Sequence, residues 1–460
     1  MKKQALLALL LALTMLLTGC TLVQKDQAVD AATVILQLGD QTVTKGEVQE
    51  EVENQLDYMS YVYSMYGYSF DATSAEAIAD ARQEAINTLK TELVSNAKIA
   101  ELGLDQLTEE EEAQVKAQAE ETYQSNLNYI LTSNYADSEL SDEEKNTAAA
   151  ADLEKLGYSM ESAMENARET TLQEKLRQEI IKDVAVTEEE ITKEYESRTA
   201  SGKETYENNT ASWTTAANNG TTLYYTPDGV RFVKQILVKF LDEDQTKIDE
   251  ANSKVTDAQS KVTGAESKVS DAQAILDSEE ASEEDKTAAQ TDLEAAQAEL
   301  EAAQAELEAA QKEAEEVTNA AFANIDTAAD EILTELELGA DWDTLMADKT
   351  QDPGMQSGVT AERGYAVSAD MTSFDSAFVE AAMALENIGD VSGKIRGTTY
   401  GYYIIKYVGD AEEGFVALDE VKETIQSSLL SSKQSTTYSD TLQGWVDADD
   451  FKENLAALDQ

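Results

Sequence analysis

The residues that this chain lacks restrict the chemistry it can perform. None of its 460 residues is a histidine, and Cys20 is its single cysteine. A Ser-His-Asp triad needs a histidine base, and a zinc site needs several histidine or cysteine ligands. Calcium loops need acidic ligands at fixed spacing around a glycine turn, and the sequence has no such pattern. We therefore predict no metal and no cofactor, and a function based on binding through polar and apolar side chains.

The position of Cys20 indicates lipidation. Two lysines follow the initiator methionine, and an apolar run extends from Ala5 to Leu17, which is too short for a membrane-spanning helix but typical of a signal peptide. The run ends in Leu-Thr-Gly-Cys20, which resembles the lipobox, a motif in which the cysteine thiol is acylated. We predict a signal peptide over residues 1–19, a polar tether over 20–32, and a mature protein anchored at Cys20 on the extracytoplasmic face of the cell membrane.

Charge and composition exclude other partners. The chain has 92 acidic and 34 basic residues and a formal charge of −58, which disfavours binding to nucleic acid or to anionic lipid through charge. Apolar residues make up 42% of the chain, enough to build cores in more than one domain. Only two prolines are present, and this favours long helices.

The first half of the chain reads as a helical domain. Thr33 to Leu38 alternates like a strand, a turn follows, and Thr44 with Glu47 forms a capping box that starts a helix. Apolar residues then recur at spacings of three and four as far as about Lys203. A second capped helix starts at Thr187, and residues 206–219 read as a loose polar connection. We assign residues 33–228 to this domain.

The stretch from Ala340 to Val408 carries the most specific pattern. Gly389-Asp-Val-Ser-Gly precedes a strand that begins Gly401-Tyr-Tyr-Ile-Ile, and Gln235-Ile-Leu-Val238 forms an earlier strand. Together with the segments at 333–343, 351–354 and 378–385, these motifs resemble, in order, those of the parvulin peptidyl-prolyl isomerases. The opening strand, turn and capped helix resemble the N-terminal domain of the SurA and PrsA class of secretion chaperones.

The resemblance implies a fold and a set of site residues. Family parvulins carry two active-site histidines, and Gln235 and Tyr403 occupy those two positions here. The resemblance further implies that Asp352 is a polar site residue. The proline pocket that it implies consists of Phe374, Phe378 and Met383. Because glutamine and tyrosine both donate and accept hydrogen bonds, residual isomerase activity is physically possible.

Residues 246–319 are an insertion relative to the parvulin pattern. Their apolar residues alternate at spacings of four and three, as in a coiled coil. The first arm contains Ala251, Val255, Ala258, Val262, Ala265, Val269, Ala272 and Leu276, and the second contains Leu293, Ala296, Leu300, Ala303, Leu307 and Ala310. A polar break separates the arms, with Ser282 and Asp285 as a helix cap. The pattern predicts an antiparallel coiled-coil hairpin, which acts either as a spacer or as a solvated decoration.

A dense run of tyrosine and methionine lies early in the helical domain. It consists of Tyr58, Met59, Tyr61, Tyr63, Met65, Tyr66, Tyr68 and Phe70. Such residues form core contacts between long helices, or they form an adaptable surface that binds unfolded polypeptides. The sequence leaves both interpretations open.

The expected fold class is α+β, with a helical SurA- and PrsA-like chaperone domain. A parvulin-like domain (229–245 and 320–410) is inserted into it and carries the hairpin, and a C-terminal helix over 411–460 completes the chaperone domain. Three functions fit: a membrane-anchored foldase with prolyl isomerase activity on newly secreted polypeptides, a holdase that binds without turnover, and a structural surface lipoprotein. Oligomeric state stays open.

Changing Cys20 to Ala tests the anchor. The variant lacks the thiol that is acylated, so we expect the precursor to remain uncleaved by the lipoprotein pathway. Metabolic labelling with a fatty acid and the size of the protein on a gel measure this. Lipid-labelled protein of mature size from the Cys20→Ala variant would refute the assignment.

Overall fold

A computed structural model of the chain describes residues 27–459, and Cys20 with the signal segment lies outside this range. The chain forms two compact units, one running up to Val186 and resuming at Ser427, the other covering Thr187–Gln426. Most of the described residues are helical and the sheets are small and antiparallel, so the α+β class predicted from the sequence is confirmed. No helix within the described range has the length and apolarity needed to cross a membrane.

The elements of the first unit begin at the N-terminal side of the described range. They are α1 (Gln27–Ala31), β1 (Val34–Leu38), β2 (Gln41–Thr44), α2 (Lys45–Met65), α3 (Ala75–Glu101), α4 (Glu109–Asn134), α5 (Asp142–Lys155) and α6 (Met160–Ile181). The capping box at Thr44 and Glu47 is present in full at the start of α2. The last residues of the predicted tether form α1, where Asp30 pairs with the buried Lys45 at 3.0 Å.

The second unit is built around a sheet. Its elements are α7 (Glu188–Tyr206), α8 (Thr210–Asn218), β3 (Tyr225–Thr226), β4 (Arg231–Lys239), α9 (Asp242–Asp277), α10 (Glu283–Glu337), α11 (Trp342–Lys349), α12 (Val359–Arg363), β5 (Tyr365–Val367), α13 (Ser376–Ala384), β6 (Ile395–Arg396), β7 (Gly401–Asp410) and β8 (Gly414–Phe415). A 3₁₀ turn over Pro353–Met355 lies between α11 and α12. The chain then returns to the first unit through α14 (Leu418–Ala448), β9 (Lys452–Glu453) and a final 3₁₀ turn.

The central sheet has the strand order β5-β4-β7-β6. Its long pair is β4 with β7, antiparallel from Arg231 opposite Asp410 to Lys239 opposite Gly401. Side chains alternate between the two faces of a strand. One face packs Ile236, Val238 and Ile404 against α10 and α11, and the other packs Leu237 and Tyr403 against α13. Both faces of the pair are therefore buried.

The prediction of a loose connection over 206–219 is wrong. Residues 210–218 form α8, which buries Trp213 against Phe232 and Ala366. The indole nitrogen of Trp213 donates to the carbonyl of Tyr225 at 2.7 Å. One buried tryptophan thus anchors a segment whose other residues are mostly polar. Residues 187–228 belong to the same compact unit as the sheet.

The long helices α9 and α10 pack side by side as a helical hairpin. The residues predicted for the seam are buried or half-buried along both arms. Ion pairs link the arms one heptad apart: Lys254 with Glu313 at 2.7 Å, Lys261 with Glu306, and Lys268 with Glu299 at 2.7 Å. Ser282 and Asp285 form the predicted capping box at the start of α10.

The hairpin is continuous with the sheet unit. Helix α10 extends past the hairpin to Glu337, and its last turns place Phe322, Ile325 and Ile332 in the core against the sheet. Ile248 of α9 belongs to the same core cluster, although it lies inside the predicted insertion 246–319. The base of the hairpin is thus part of the core, and the arms beyond it form the extension.

We predict that matched shortening of the arms leaves the sheet unit intact. Deleting residues 258–271 together with 296–309 removes two heptads from each arm, including two of the three ion pairs, and keeps Lys254 opposite Glu313. Ile248→Ala, in contrast, should lower the free energy of unfolding by about 2–5 kcal/mol because it empties a core position. Urea unfolding measures both, and loss of cooperative unfolding in the deletion variant would show that the outer arms support the core.

Candidate functional site

A cavity of about 400 Å³ opens on the β4–β7 face that carries α13. Its walls come from β4, the 350–353 segment, β5, the start of α13 and the turn before β7. The lining residues are Gln235, Leu237, Lys239, Gln351, Asp352, Pro353, Tyr365, Ser373, Phe374, Asp375, Phe378, Tyr400 and Tyr403. Five of the six site residues named from the sequence are in this set. Met383 is not: it packs, half-buried, against the core cluster that contains Phe378.

Strand register places the two residues that stand for the family histidines on one face. Leu237 lies opposite Tyr403, and Gln235 lies two positions before Leu237 on β4. Because side chains alternate along a strand, Gln235, Leu237 and Lys239 share the cavity face, and Tyr403 joins them from β7. Gln235 is 8% exposed and Tyr403 is 4% exposed, so both polar side chains sit in largely dry surroundings.

Asp352 collects hydrogen bonds from three directions. The amide of Gln235 donates to Oδ2 at 2.6 Å, the hydroxyl of Tyr365 lies 3.2 and 3.1 Å from the two carboxylate oxygens, and the backbone N–H of Gly354 donates to Oδ1 at 2.9 Å. The Thr350 hydroxyl accepts the backbone N–H groups of Asp352 and Leu237, each at 3.2 Å. These bonds hold the 350–352 segment along β4 and satisfy the buried carboxylate.

Two glycines leave room for the tyrosines of the site. A Cβ on Gly354 would lie 2.0 Å from the Tyr365 hydroxyl oxygen, and a Cβ on Gly397 would lie 2.5 Å from the Tyr403 ring. Both distances are far below van der Waals contact. Any larger residue at Gly354 would displace the Tyr365 phenol from Asp352. The glycine of the Asp-Pro-Gly sequence is therefore needed for this hydrogen bond as well as for the turn.

A second carboxylate holds Tyr403. The Tyr403 hydroxyl donates to Oδ2 of Asp375 at 3.2 Å, and the same oxygen accepts from the backbone N–H of Thr398 at 2.6 Å and from its hydroxyl at 3.0 Å. Oδ1 of Asp375 accepts the N–H of Ala377 at 3.0 Å and caps α13. Tyr403 is thus bonded to Asp375 and not to Asp352, which the sequence had grouped with it.

Four aromatic rings form the apolar wall of the cavity. Tyr365 and Phe374 meet edge to face with centroids 5.0 Å apart, Phe374 and Phe378 are 5.7 Å apart, and Phe378 and Tyr403 are 5.4 Å apart. Phe378 is 2% exposed and Phe374 is half-buried. Such offset and edge-to-face arrangements are favourable for aromatic pairs. The wall is a rigid surface against which a flat apolar ring can pack.

One buried acceptor at the site has no donor. The Oε1 atom of Gln235 makes no hydrogen bond to any atom of residues 27–459. The orientation of this amide is fixed because its other atom must donate to Asp352. A buried acceptor without a partner costs about 1–3 kcal/mol. The sheet therefore holds an unsatisfied polar atom in a residue that lines the cavity.

Both phenols at the site are held in the protonated form. Burial raises the pKa of Tyr365 well above its usual range, and the adjacent Asp352 carboxylate adds to the rise. Burial also raises the pKa of Tyr403, with Asp375 as the next largest cause. Because each phenol keeps its proton, each acts as a hydrogen-bond donor throughout the physiological pH range.

Sequence reasoning missed Tyr365 and Asp375. Tyr365 lies on the three-residue strand β5, and no motif links it to Asp352, which is 13 residues away. Asp375 carried a usable signal, since an aspartate immediately before a helix is a typical N-cap. That signal indicates capping of α13 but not the bonds to Tyr403 and Thr398, which join positions 23 and 28 residues apart.

In the first unit, the tyrosine–methionine run is largely solvent-exposed. Tyr58 and Tyr61 are 62% and 61% exposed, Met65 is 61% exposed, and Tyr66 and Tyr68 are exposed still further. Tyr58, Tyr61 and Met65 are spaced at three and four residues and share one face of α2. Core packing therefore does not account for this run, which we call the tyrosine–methionine patch.

Comparison with known proteins places these features in context. No family model matches the chain. It is similar to the foldase protein PrsA of Clostridium acetobutylicum, with 25% identity over 197 residues, 42% of this chain and 54% of the relative. It is also similar to PrsA of Clostridium botulinum, with 29% identity over 126 residues, 27% of this chain and 36% of the relative. The chain thus spans about half or less of the length of these curated relatives.

Among solved structures, the PrsA foldase of Streptococcus pneumoniae covers 90% of this chain and 93% of its own, with 14% identity and a TM-score of 0.26. A TM-score this low is not evidence of a shared fold, so the assignment to a class of proteins rests on the sequence matches. They confirm the resemblance to secretion foldases that the opening strand, turn and capped helix had indicated. The chain resembles the SurA and PrsA class of foldases.

Proposed function

We propose that this protein is an extracytoplasmic foldase that binds unfolded or newly secreted polypeptides and promotes cis-trans isomerisation of their prolyl bonds in the cavity of the sheet unit. The observation that carries the proposal is the juxtaposition of an aromatic wall with two fixed carboxylate–tyrosine pairs in one cavity of about 400 Å³. Foldase PrsA proteins match part of the sequence, and this supports the foldase assignment.

Prolyl isomerisation suits a site without histidine. Rotation about an X-Pro bond faces a barrier of about 20 kcal/mol because the amide is partly double-bonded. The reaction needs no nucleophile and no proton transfer. It needs a surface that binds the twisted amide better than the planar one, which is differential binding of the transition state.

The residues divide this work between them. Phe374 and Phe378 would pack against the proline ring, because an apolar ring gains most from burial against aromatic faces. Tyr403 and Tyr365 each give their single O–H to a carboxylate, so their hydroxyl oxygens would present fixed hydrogen-bond acceptors near the rotating amide. Dry surroundings strengthen such contacts relative to water. The proposed roles of three further residues follow from the resemblance. Gln235 and Asp352 would make polar contacts, and Met383 would support the apolar pocket.

Location is part of the proposal. A lipid anchor at Cys20 would hold the protein at the outer face of the membrane, where secreted chains emerge before they fold. The signal-like run from Ala5 to Leu17 and the single cysteine support this. The strong negative charge keeps the body away from anionic lipid, so the anchor and a tether would set its distance from the surface.

A holdase without turnover is the second candidate, and the tyrosine–methionine patch favours it. Exposed tyrosine and methionine offer adaptable contacts to unfolded chains of many sequences. The patch lies in the first unit and does not depend on the cavity. The third interpretation, a structural surface lipoprotein, requires neither feature and has no observation in its favour.

We predict that the purified protein weakly accelerates cis-to-trans conversion of a prolyl tetrapeptide and that Phe378→Ala abolishes this. Loss of a buried ring costs about 3 kcal/mol. If that contact is felt in the transition state, the rate falls by about a hundredfold. Phe322→Ala is the matched control, since Phe322 is equally buried but packs on the opposite face of the sheet. Equal rates in the two variants would contradict a proline pocket at Phe378.

The double substitution Gln235→His with Tyr403→His separates the two leading functions. An inactive wild type with an active double variant would show that the domain is a decayed isomerase retained for binding. If neither protein is active while both suppress aggregation of an unfolded client, the holdase function stands alone. If neither activity is seen, the structural lipoprotein remains.

The tyrosine–methionine patch has its own test. Replacing Tyr58, Tyr61 and Met65 by Ser should reduce suppression of client aggregation without changing the unfolding temperature, since all three are exposed. Tyr129→Ser is the control, because Tyr129 is 69% exposed on α4 outside the patch. Light scattering of a thermally unfolded client measures the effect. Equal suppression by wild type and the patch variant would remove the patch from the binding surface.

A further inference from the structure

Asp375 joins three walls of the cavity through a single side chain. It is the N-cap of α13, which carries Phe378. It accepts both the N–H and the hydroxyl of Thr398 in the turn that connects β6 with β7. It also accepts the hydroxyl of Tyr403 from β7. The separation of the apolar wall from the Tyr403 hydroxyl oxygen therefore depends on this one carboxylate.

The turn before β7 has few other attachments. Its base is closed by the N–H of Gly397 donating to Gly401 at 2.8 Å, and the carbonyl of Tyr400 accepts the N–H of Phe240 at 2.9 Å. Thr398 lies between these points, and its hydrogen bonds to Asp375 connect the turn to the start of α13. Tyr400, 52% exposed, extends this turn along the cavity. Within residues 27–459, the bonds between Thr398 and Asp375 are the hydrogen bonds that tie this turn to the helix.

In the part of the chain that the structure describes, the Tyr403 hydroxyl has no hydrogen-bond partner other than Asp375. Its ring packs on Phe378 and passes over Gly397, where a side chain would collide with it. Rotation of the phenol out of the cavity is opposed by this packing, but the direction of its O–H is set by Asp375. The charge of Asp375 also contributes to the raised pKa of Tyr403, after burial.

We propose that Asp375 is a positioning residue that clamps the turn before β7 to the start of α13 and holds the Tyr403 hydroxyl oxygen at the cavity. This rests on the proposed function, since its purpose is to fix that oxygen and the apolar wall at one spacing for a prolyl peptide. Asp375 acts through Tyr403, Thr398 and Phe378 and is not itself required to touch the peptide.

Aspartate and serine are comparable N-caps, so one substitution separates capping from clamping. Asp375→Ser keeps an oxygen for the N–H of Ala377, but its side chain is too short to reach Thr398 and Tyr403 as well. Asp375→Asn has the full length but only one acceptor oxygen, and its NH2 replaces the oxygen that accepts from Thr398, so it can cap α13 but cannot clamp the turn as well. The clamp therefore predicts that Asn and Ser both lose the bond to Thr398, whereas a capping role alone predicts that both variants behave like the wild type.

The first readout needs no activity. In Asp375→Ser the backbone N–H of Thr398 should exchange with deuterium faster than in the wild type. The pKa of Tyr403 should fall because a neighbouring negative charge is removed. Ultraviolet titration of each protein against its own Tyr403→Phe partner isolates that one phenol. Unchanged exchange at Thr398 and an unchanged Tyr403 titration would overturn the clamp, whatever the protein does.

The second readout is binding of a fluorescent prolyl tetrapeptide to the full-length protein. Asp375→Ser should bind about tenfold more weakly, the size expected when a hydrogen bond to a charged group is lost. Adding Tyr403→Phe to Asp375→Ser should cause little further loss, because the two residues act together. Additive losses would overturn the positioning role. A wild type that binds no prolyl peptide would instead refute the proposed function, and the exchange and titration results would still decide whether the clamp exists.

Discussion

The pairing of β4 with β7 is the constraint on which the second unit depends. These strands lie in the middle of the sheet and are buried on both faces, so their register fixes two sets of side chains at once. One set, with Ile236 and Ile404, receives α10 and the base of the hairpin. The other set places Gln235 and Tyr403 in the cavity. A slip of one residue would exchange the two sets and destroy core and site together.

Much of this arrangement follows from local sequence. Capping boxes at Thr44, Thr187 and Ser282 mark the starts of three helices, and heptads mark the hairpin, because these signals depend on residues three to seven positions apart. Of the six cavity residues named from the ordered motifs, five line one cavity in the structure. What the sequence could not supply were partners: Asp352 with Tyr365 and Tyr403 with Asp375 are brought together only by sheet register and by the 350–352 segment. The prediction of a loose connection over 206–219 was wrong for a related reason. The helix there is held by the burial of Trp213, and the residues that bury it, such as Phe232 and Ala366, are distant in sequence.

The hairpin takes a different place in the molecule from the one its composition suggests. Low-complexity heptads indicate a detachable arm, yet α10 runs without a break from the hairpin into the core. Asp326 of this helix bonds to Lys394 and to the Tyr402 hydroxyl, at 2.6 and 2.9 Å. Tyr402 precedes Tyr403 on β7 and points to the opposite face. The arm is therefore fixed in direction relative to the cavity, and a rigid extension sets a distance in a way that a flexible linker cannot.

The absence of histidine gives the site a uniform physical character. A histidine pair would change its charge near neutral pH, whereas amides do not titrate and these two tyrosines hold their protons because burial raises the pKa of each. Each donor at the cavity is aimed by a carboxylate, and each carboxylate is anchored by backbone N–H groups, so direction is fixed by the main chain and not by protonation. The Oε1 atom of Gln235 is the exception, because it has no hydrogen-bond donor among residues 27–459. A site of amide and phenol side chains thus offers fixed hydrogen bonds without a histidine that exchanges a proton, and the proposed rotation, which breaks no bond, would not need that exchange.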